Sequence, residues 1–100
     1  YGVQVSPDEW AEGRVYWGFE KGKTYTGTLA FDIVEEFARE EDIPLINSYS
    51  AFLQAAEEGK KGFFYPHDGH LTPKGNDIVA ETITQNETLL FLIDHAQQRY

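Results

Sequence analysis

Apolar and polar positions follow two different periods along this chain. Tyr1 to Ser6 is a short run of β-forming residues stopped by Pro7, which predicts a strand. Asp8 to Lys23 carries Trp10, Tyr16, Trp17 and Phe19 between Gly13, Gly18 and Gly22, and reads as a long aromatic loop with room for a helical turn after Pro7. From Thr28, the residues Leu29, Ala30, Ile33, Val34, Phe37 and Ala38 fall on one stripe of a 3.6-residue period, opposite Glu35, Glu36, Arg39 and Glu40. A core-facing helix over 28–41 is expected. Ile43 to Asn47 is a second short apolar run, with Pro44 at its start or on an edge, and predicts a second strand. Ser48 or Ser50 can cap a short helix carrying Phe52, Leu53 and Ala55 that ends at Gly59, and a loop, 60–71, follows. Thr72-Pro73 opens a third helix, because Thr caps free amides and Pro at the first helical position forfeits no hydrogen bond. Its residues Ile78, Val79 and Ile83 are expected to face inward. The last segment, Glu87 to Arg99, holds five consecutive apolar residues from Leu89 to Ile93, read as the core side of a terminal helix, with a capping box from Thr84 and Glu87.

The order β-α-β-α-loop-α-α predicts an α/β layer fold, with strands 1–6 and 43–47 parallel and helix 28–41 crossing between them in the right-handed sense. Two parallel strands bury too little by themselves. The pattern therefore reads as the edge half of a larger doubly wound domain, as does a chain that begins directly in an apolar run. At 100 residues it is one unit, with 41% hydrophobic and 25% charged residues, the balance of a folded chain. Eight basic against seventeen acidic residues leave a net charge of -9, which repels nucleic acid and anionic membrane surfaces. No stretch of 18 apolar residues occurs. The absence of Cys removes disulfide and thiolate chemistry but leaves the compartment open.

The chemically able side chains gather in Tyr65-Pro-His67-Asp68-Gly69-His70-Leu-Thr72-Pro-Lys-Gly75. An imidazole can take up and give back a proton near neutral pH, so His70 can act as a general base or acid, while Asp68 can hold its ring and stabilise the imidazolium. The alternative is an ordinary turn, with exposed imidazoles flanking an Asp-Gly dipeptide. His67, Asp68 and His70 also offer donors that suit zinc or manganese, a second alternative.

The stretch Phe63-Phe-Tyr-Pro-His-Asp68-Gly-His70-Leu-Thr-Pro-Lys-Gly75-Asn-Asp-Ile-Val79-Ala80 resembles the last conserved block of the SGNH (GDSL-type) hydrolases. In that family an Asp and a His in one loop complete a Ser-His-Asp triad, followed by a Gly and a helix that begins with Val-Ala. Asp68, His70, Gly75 and Val79-Ala80 stand at the matching places, although the commoner family spacing is Asp-x-x-His. More weakly, Val3 to Pro7, helix 28–41 and Ile43 to Phe52 look like the preceding strand, helix, strand and helix. The resemblance implies a three-layer SGNH/flavodoxin-like parallel sheet of which residues 1–100 are the C-terminal portion. It also implies an ester hydrolase or acyl transferase in which His70 and Asp68 are the catalytic residues present. The Gly-Asp-Ser block and the oxyanion-hole Gly and Asn have no counterpart here, so the nucleophile is expected outside this chain and the chain alone is expected to be inactive. The implied partners are a small-molecule or carbohydrate ester and the N-terminal half of the same domain; no metal or organic cofactor is implied. The aromatic loop and acidic surface favour a neutral substrate over a polyanion. A non-catalytic interaction module that uses its exposed aromatics is the alternative from another class. Ser6, Ser48 and Ser50 sit in no Gly-x-Ser-x-Gly elbow, so capping suits them better than attack.

Overall fold

The computed structural model describes residues 1–98, except the side chain of Thr88. Among them are three 3-10 turns, η1 (Gly2–Gln4), η2 (Pro7–Glu9) and η3 (Arg14–Trp17). Four α-helices follow: α1 (Leu29–Glu40), α2 (Tyr49–Glu57), α3 (Pro73–Thr84) and α4 (Glu87–Gln97).

The expected three-layer α/β fold with its parallel sheet is overturned. No strand forms among the described residues, and the only extended pairing there is one antiparallel bridge between Phe64 and Leu71. Residues 1–6 wind into η1, where the Gln4 amide bonds the Tyr1 carbonyl at 3.0 Å and the Val5 amide bonds that of Gly2 at 2.8 Å. Gly2 permits this turn, since a Cβ there would strike the Glu9 carbonyl. Residues 43–47 are irregular, and the Ile43 amide closes on the Ala38 carbonyl at 2.7 Å as α1 ends. A strand satisfies its amides only against a neighbour. With no sheet to join, Gln4, Val5, Ser6 and Ile43 spend their amides on nearby carbonyls, and the right-handed crossover between the two segments does not exist.

The helices lie where the apolar period places them, and their caps show which residues start them. Asn47 Oδ1 accepts the Tyr49 amide at 3.0 Å ahead of α2, a bond made by neither Ser48 nor Ser50. Gly59, at φ 84°, sits just past the end of α2 and bonds the Ala56 carbonyl, as its position in the sequence suggests. Thr72 caps α3 by accepting the Gly75 amide, with Pro73 at the first position. Asn86 Oδ1 caps α4 through Leu89, in place of the expected Thr84–Glu87 box; Thr84 instead ends α3. Arg99, to which the last helix was expected to run, lies outside the described residues.

The core gathers Val5, Phe52, Ala55 and Phe63, with Tyr49, Ala56, Phe64, Leu71, Ile78 and Val79 packed around them. Phe52 meets Phe63 edge to face at 5.6 Å and Phe64 at 5.7 Å. It thus joins η1, α2, the loop after α2 and α3. The two most apolar helical stripes stay outside it. Leu29, Ile33, Val34 and Phe37 of α1 are all more than half exposed, and Leu90, Phe91, Leu92 and Ile93 of α4 are exposed too, so neither stripe is the core face expected. A radius of gyration of 15.9 Å, against about 13 Å for an ordinary domain of this length, reflects the same separation. Helix α1 reaches the rim of the core through Phe31, which stacks on Tyr49 at 4.7 Å, while its one buried residue, Ala38, lies outside the core cluster.

Candidate active site

The loop between α2 and α3 is held at both ends before it reaches Asp68 and His70. At its start, the buried Glu9 carboxylate of η2 accepts three consecutive backbone amides: Gly62 at 2.7 Å, Phe63 at 3.1 and 3.0 Å through its two oxygens, and Phe64 at 3.0 Å. A carboxylate taken out of water costs several kcal/mol unless its lone pairs are satisfied, and these amides replace the lost water. Glu9 is aimed by the turn that carries it, which opens on Pro7 after Ser6 accepts the Asp8 amide at 3.2 Å. At the other end, the Thr72 hydroxyl donates to the Gly62 carbonyl at 2.5 Å. Gly75 closes the base: a Cβ there would run into the Phe63 carbonyl, so only glycine lets the first turn of α3 lie against the loop.

Between these anchors the chain makes a narrow turn. The Thr72 amide bonds the Phe63 carbonyl at 2.9 Å, the Tyr65 amide bonds that of His70 at 2.8 Å, and the Gly69 amide bonds that of Tyr65 at 2.9 Å. Gly69 has φ 75°, and the space a side chain would need is occupied by the Arg14 guanidinium. The Glu12 amide ties the tip to η3's approach by bonding the Pro66 carbonyl at 2.7 Å.

Asp68 and His70 meet across that glycine. Asp68 Oδ1 accepts the His70 amide at 2.8 Å, and Oδ2 stands 3.3 Å from His70 Nδ1. The amide of His70 is the main reason the Asp68 carboxyl is held below its ordinary range, with the imidazole as a lesser contributor. A charged carboxylate on Nδ1 favours the tautomer with the proton there, which leaves Nε2 as the basic nitrogen. The His70 side chain is 84% exposed, so Nε2 is open to an incoming group.

The structure therefore brings together the two residues singled out in the sequence and separates the third. His67 Nδ1 lies 3.7 Å from Glu12 Oε2, an exposed pair that is ionic only when His67 is protonated. Among the described residues no three His, Asp or Glu side chains stand close enough to share a metal ion. No complete Ser-His-Asp triad is assembled there either. Ser6 caps η2, while Ser48 and Ser50 sit at the start of α2, and none of them bonds His70. No described helix is long and apolar enough to cross a membrane.

Sequence reasoning missed Glu9 and Arg14. Ser-Pro-Asp-Glu9 reads as an ordinary first helical turn, where an acid is expected in solvent, and nothing local marks it as the anchor of a loop more than fifty residues away. Arg14 carried one faint signal, as the only basic residue among the first twenty. No family model, curated protein or solved structure matches the chain.

Proposed function

We propose that Asp68 and His70 are the proton-handling pair of an ester hydrolase or acyl transferase of the SGNH type, with the serine supplied from outside this chain. The observation that carries the reading is the Asp68 carboxylate on His70 Nδ1, which leaves an exposed Nε2 basic. The likeness of Phe63 to Ala80 to the SGNH block supports it. In the reaction, His70 Nε2 takes the serine proton as the oxygen attacks the ester carbonyl, and returns it to the alkoxide as the C–O bond to the alcohol breaks. Water or a second alcohol then takes the acyl group by the same proton path in reverse. Asp68 is a positioning residue that holds the ring and offsets its positive charge.

The test is the turnover of an activated acetyl ester by a polypeptide that joins this chain to the serine-bearing half. His70→Ala should lower turnover by several orders of magnitude. Turnover left intact by that change refutes the reading. The chain by itself should show no serine-dependent esterase activity, and labelling of Ser6, Ser48 or Ser50 by a serine-directed reagent with loss of activity would place the nucleophile within it.

A further inference from the structure

Helix α1 carries two parallel rows of side chains on its exposed face. Leu29, Ile33 and Phe37 stand four residues apart and form one ridge, each of them more than half exposed. Asp32, Glu36 and Glu40 form a second ridge with the same spacing. Each acid stands three residues after a member of the first ridge, so the two rows are neighbours along the helix. All three acids are exposed, and none is in an ion pair among the described residues. Ala38, the buried residue of α1, and Phe31, which stacks on Tyr49, lie on the other side of the helix.

Across the apolar ridge from the acids lies a hollow. Val34, three residues before Phe37 and also more than half exposed, lines a cavity of about 210 Å³ with Phe31, Glu35, Leu45 and Ile46. Ridge and hollow make one apolar surface bordered by carboxylates, the form that receives an amphipathic helix laid along it. The carboxylates decide which helix. A polar face of Lys and Arg meets them favourably, and an acidic one is repelled. This argues against a second copy of the chain, whose net charge is -9 and whose four helices together hold one Arg, Arg39, and one Lys, Lys74. It also argues against a bilayer, since helices that lie on membranes turn Lys and Arg toward the headgroups.

We propose that this face of α1 docks a basic amphipathic helix of another protein. The partner's apolar residues seat on Leu29, Ile33 and Phe37 and in the hollow beside Val34, while its Lys and Arg side chains follow Asp32, Glu36 and Glu40. The docking does not rest on the acyl-transfer reading, because it uses neither Asp68 nor His70.

The experiment titrates the 100-residue chain with a peptide of about 18 residues, long enough to hold a helix, with Leu on one face and Lys on the other, and reads the backbone amides by NMR. One control peptide has Glu for Lys, and a second has the same Leu and Lys composition in scrambled order. The Leu–Lys peptide should bind saturably and shift the signals of Leu29 to Phe37 and of Leu45. It should bind at least about tenfold more tightly than either control, the scale of a few exposed ion pairs. Glu36→Lys combined with Glu40→Lys should remove the preference over the Glu peptide, and Phe37→Ser should weaken binding about tenfold. Should Phe37→Ser fail to fold, the charge reversal, made on exposed side chains, still decides. Equal binding of the scrambled peptide means simple attraction to an acidic chain and overturns the proposal, as do binding unchanged in the variants and shifts centred on α4. A dimer of the chain in sedimentation that Phe37→Ser converts to monomer assigns the face to a second copy instead. Loss of peptide binding when the chain is joined to the serine-bearing half assigns it to that half and equally overturns the proposal.

Discussion

Both oxygens of the Glu9 carboxylate accept the amide of Phe63, at 3.1 and 3.0 Å, and each also takes a flanking amide. Phe63 is itself the largest fully buried side chain of the core. One acidic residue therefore fixes the backbone at the point where the loop leaves the hydrophobic interior and starts toward Asp68 and His70.

Glu9→Gln tests that anchor. The substitution keeps the volume but turns one acceptor oxygen into an NH2 group facing backbone N–H donors. Leaving buried donors unpaired costs about 1–3 kcal/mol, more where the lost partner was charged. We expect Glu9→Gln to lower unfolding free energy in urea by about 2–4 kcal/mol. Amide exchange at Gly62, Phe63 and Phe64 should accelerate more than at α1. A loss below about 0.5 kcal/mol, the range of ordinary surface changes, contradicts the anchoring role.

A second prediction separates the real core from the one the sequence suggests. Phe63→Ala empties a site that is 1% exposed and should cost about 3–5 kcal/mol. Phe37→Ser removes the largest member of the strongest amphipathic stripe in the chain, but Phe37 is 56% exposed, so its loss should stay within about 0.5 kcal/mol. Equal costs in a urea titration would mean that α1 packs on the core in solution.

These contrasts show what could be read from residues alone. Helix period and end signals are local, so α1 to α4 were legible, including Thr72-Pro73 and Gly59. The Asp68–His70 contact was legible for the same reason, since one glycine separates the two. Strands were not, because a β-forming run becomes a strand only when a neighbouring strand takes its hydrogen bonds in a ladder, and among the described residues Val3-Gln4-Val5 receives only single bonds, from the Tyr25 amide at 2.8 Å and the Tyr49 hydroxyl at 2.7 Å, while Leu45-Ile46 joins no ladder. Burial is likewise non-local. The stripe from Leu29 to Phe37 has the right period for a core, while Glu9, which has none of the marks of a core residue, is 2% exposed.

The Asp68 carboxyl gives a pH prediction with a definite sign. Its pKa is lowered in the folded chain from an ordinary 3.8, first by the His70 backbone amide. The Asp68 turn therefore adds stability that is fully present above the ordinary value and is lost as pH falls through the lowered one. A carbon-detected titration should place the Asp68 midpoint below 3.8. His70→Ala keeps the backbone amide and should preserve most of the depression, whereas His70→Pro removes the amide and should return the midpoint toward the ordinary value. A midpoint that His70→Ala restores fully would make the imidazole the cause instead.

The last prediction weighs the two histidines of the turn against each other, in a polypeptide that supplies the serine. His70 faces Asp68, whereas His67 faces Glu12 at 3.7 Å with both side chains mostly in solvent. If proton transfer runs through His70 Nε2, His70→Ala removes the base and should cost several orders of magnitude in kcat. Asp68→Asn keeps the shape but favours the wrong tautomer, and the loss should reach about 10⁴-fold or less. His67→Ala removes only an exposed ion pair, worth about 0–1 kcal/mol at most, and should leave kcat and KM within about twofold. A metal held by His67, Asp68 and His70 makes the opposite demand, because each histidine is then an equal ligand. Matching losses from His67→Ala and His70→Ala, restored by added zinc, would replace the proton-transfer pair with a metal site. Loss confined to His70 and Asp68, insensitive to zinc, assigns the chemistry to the pair that the Gly69 turn brings together.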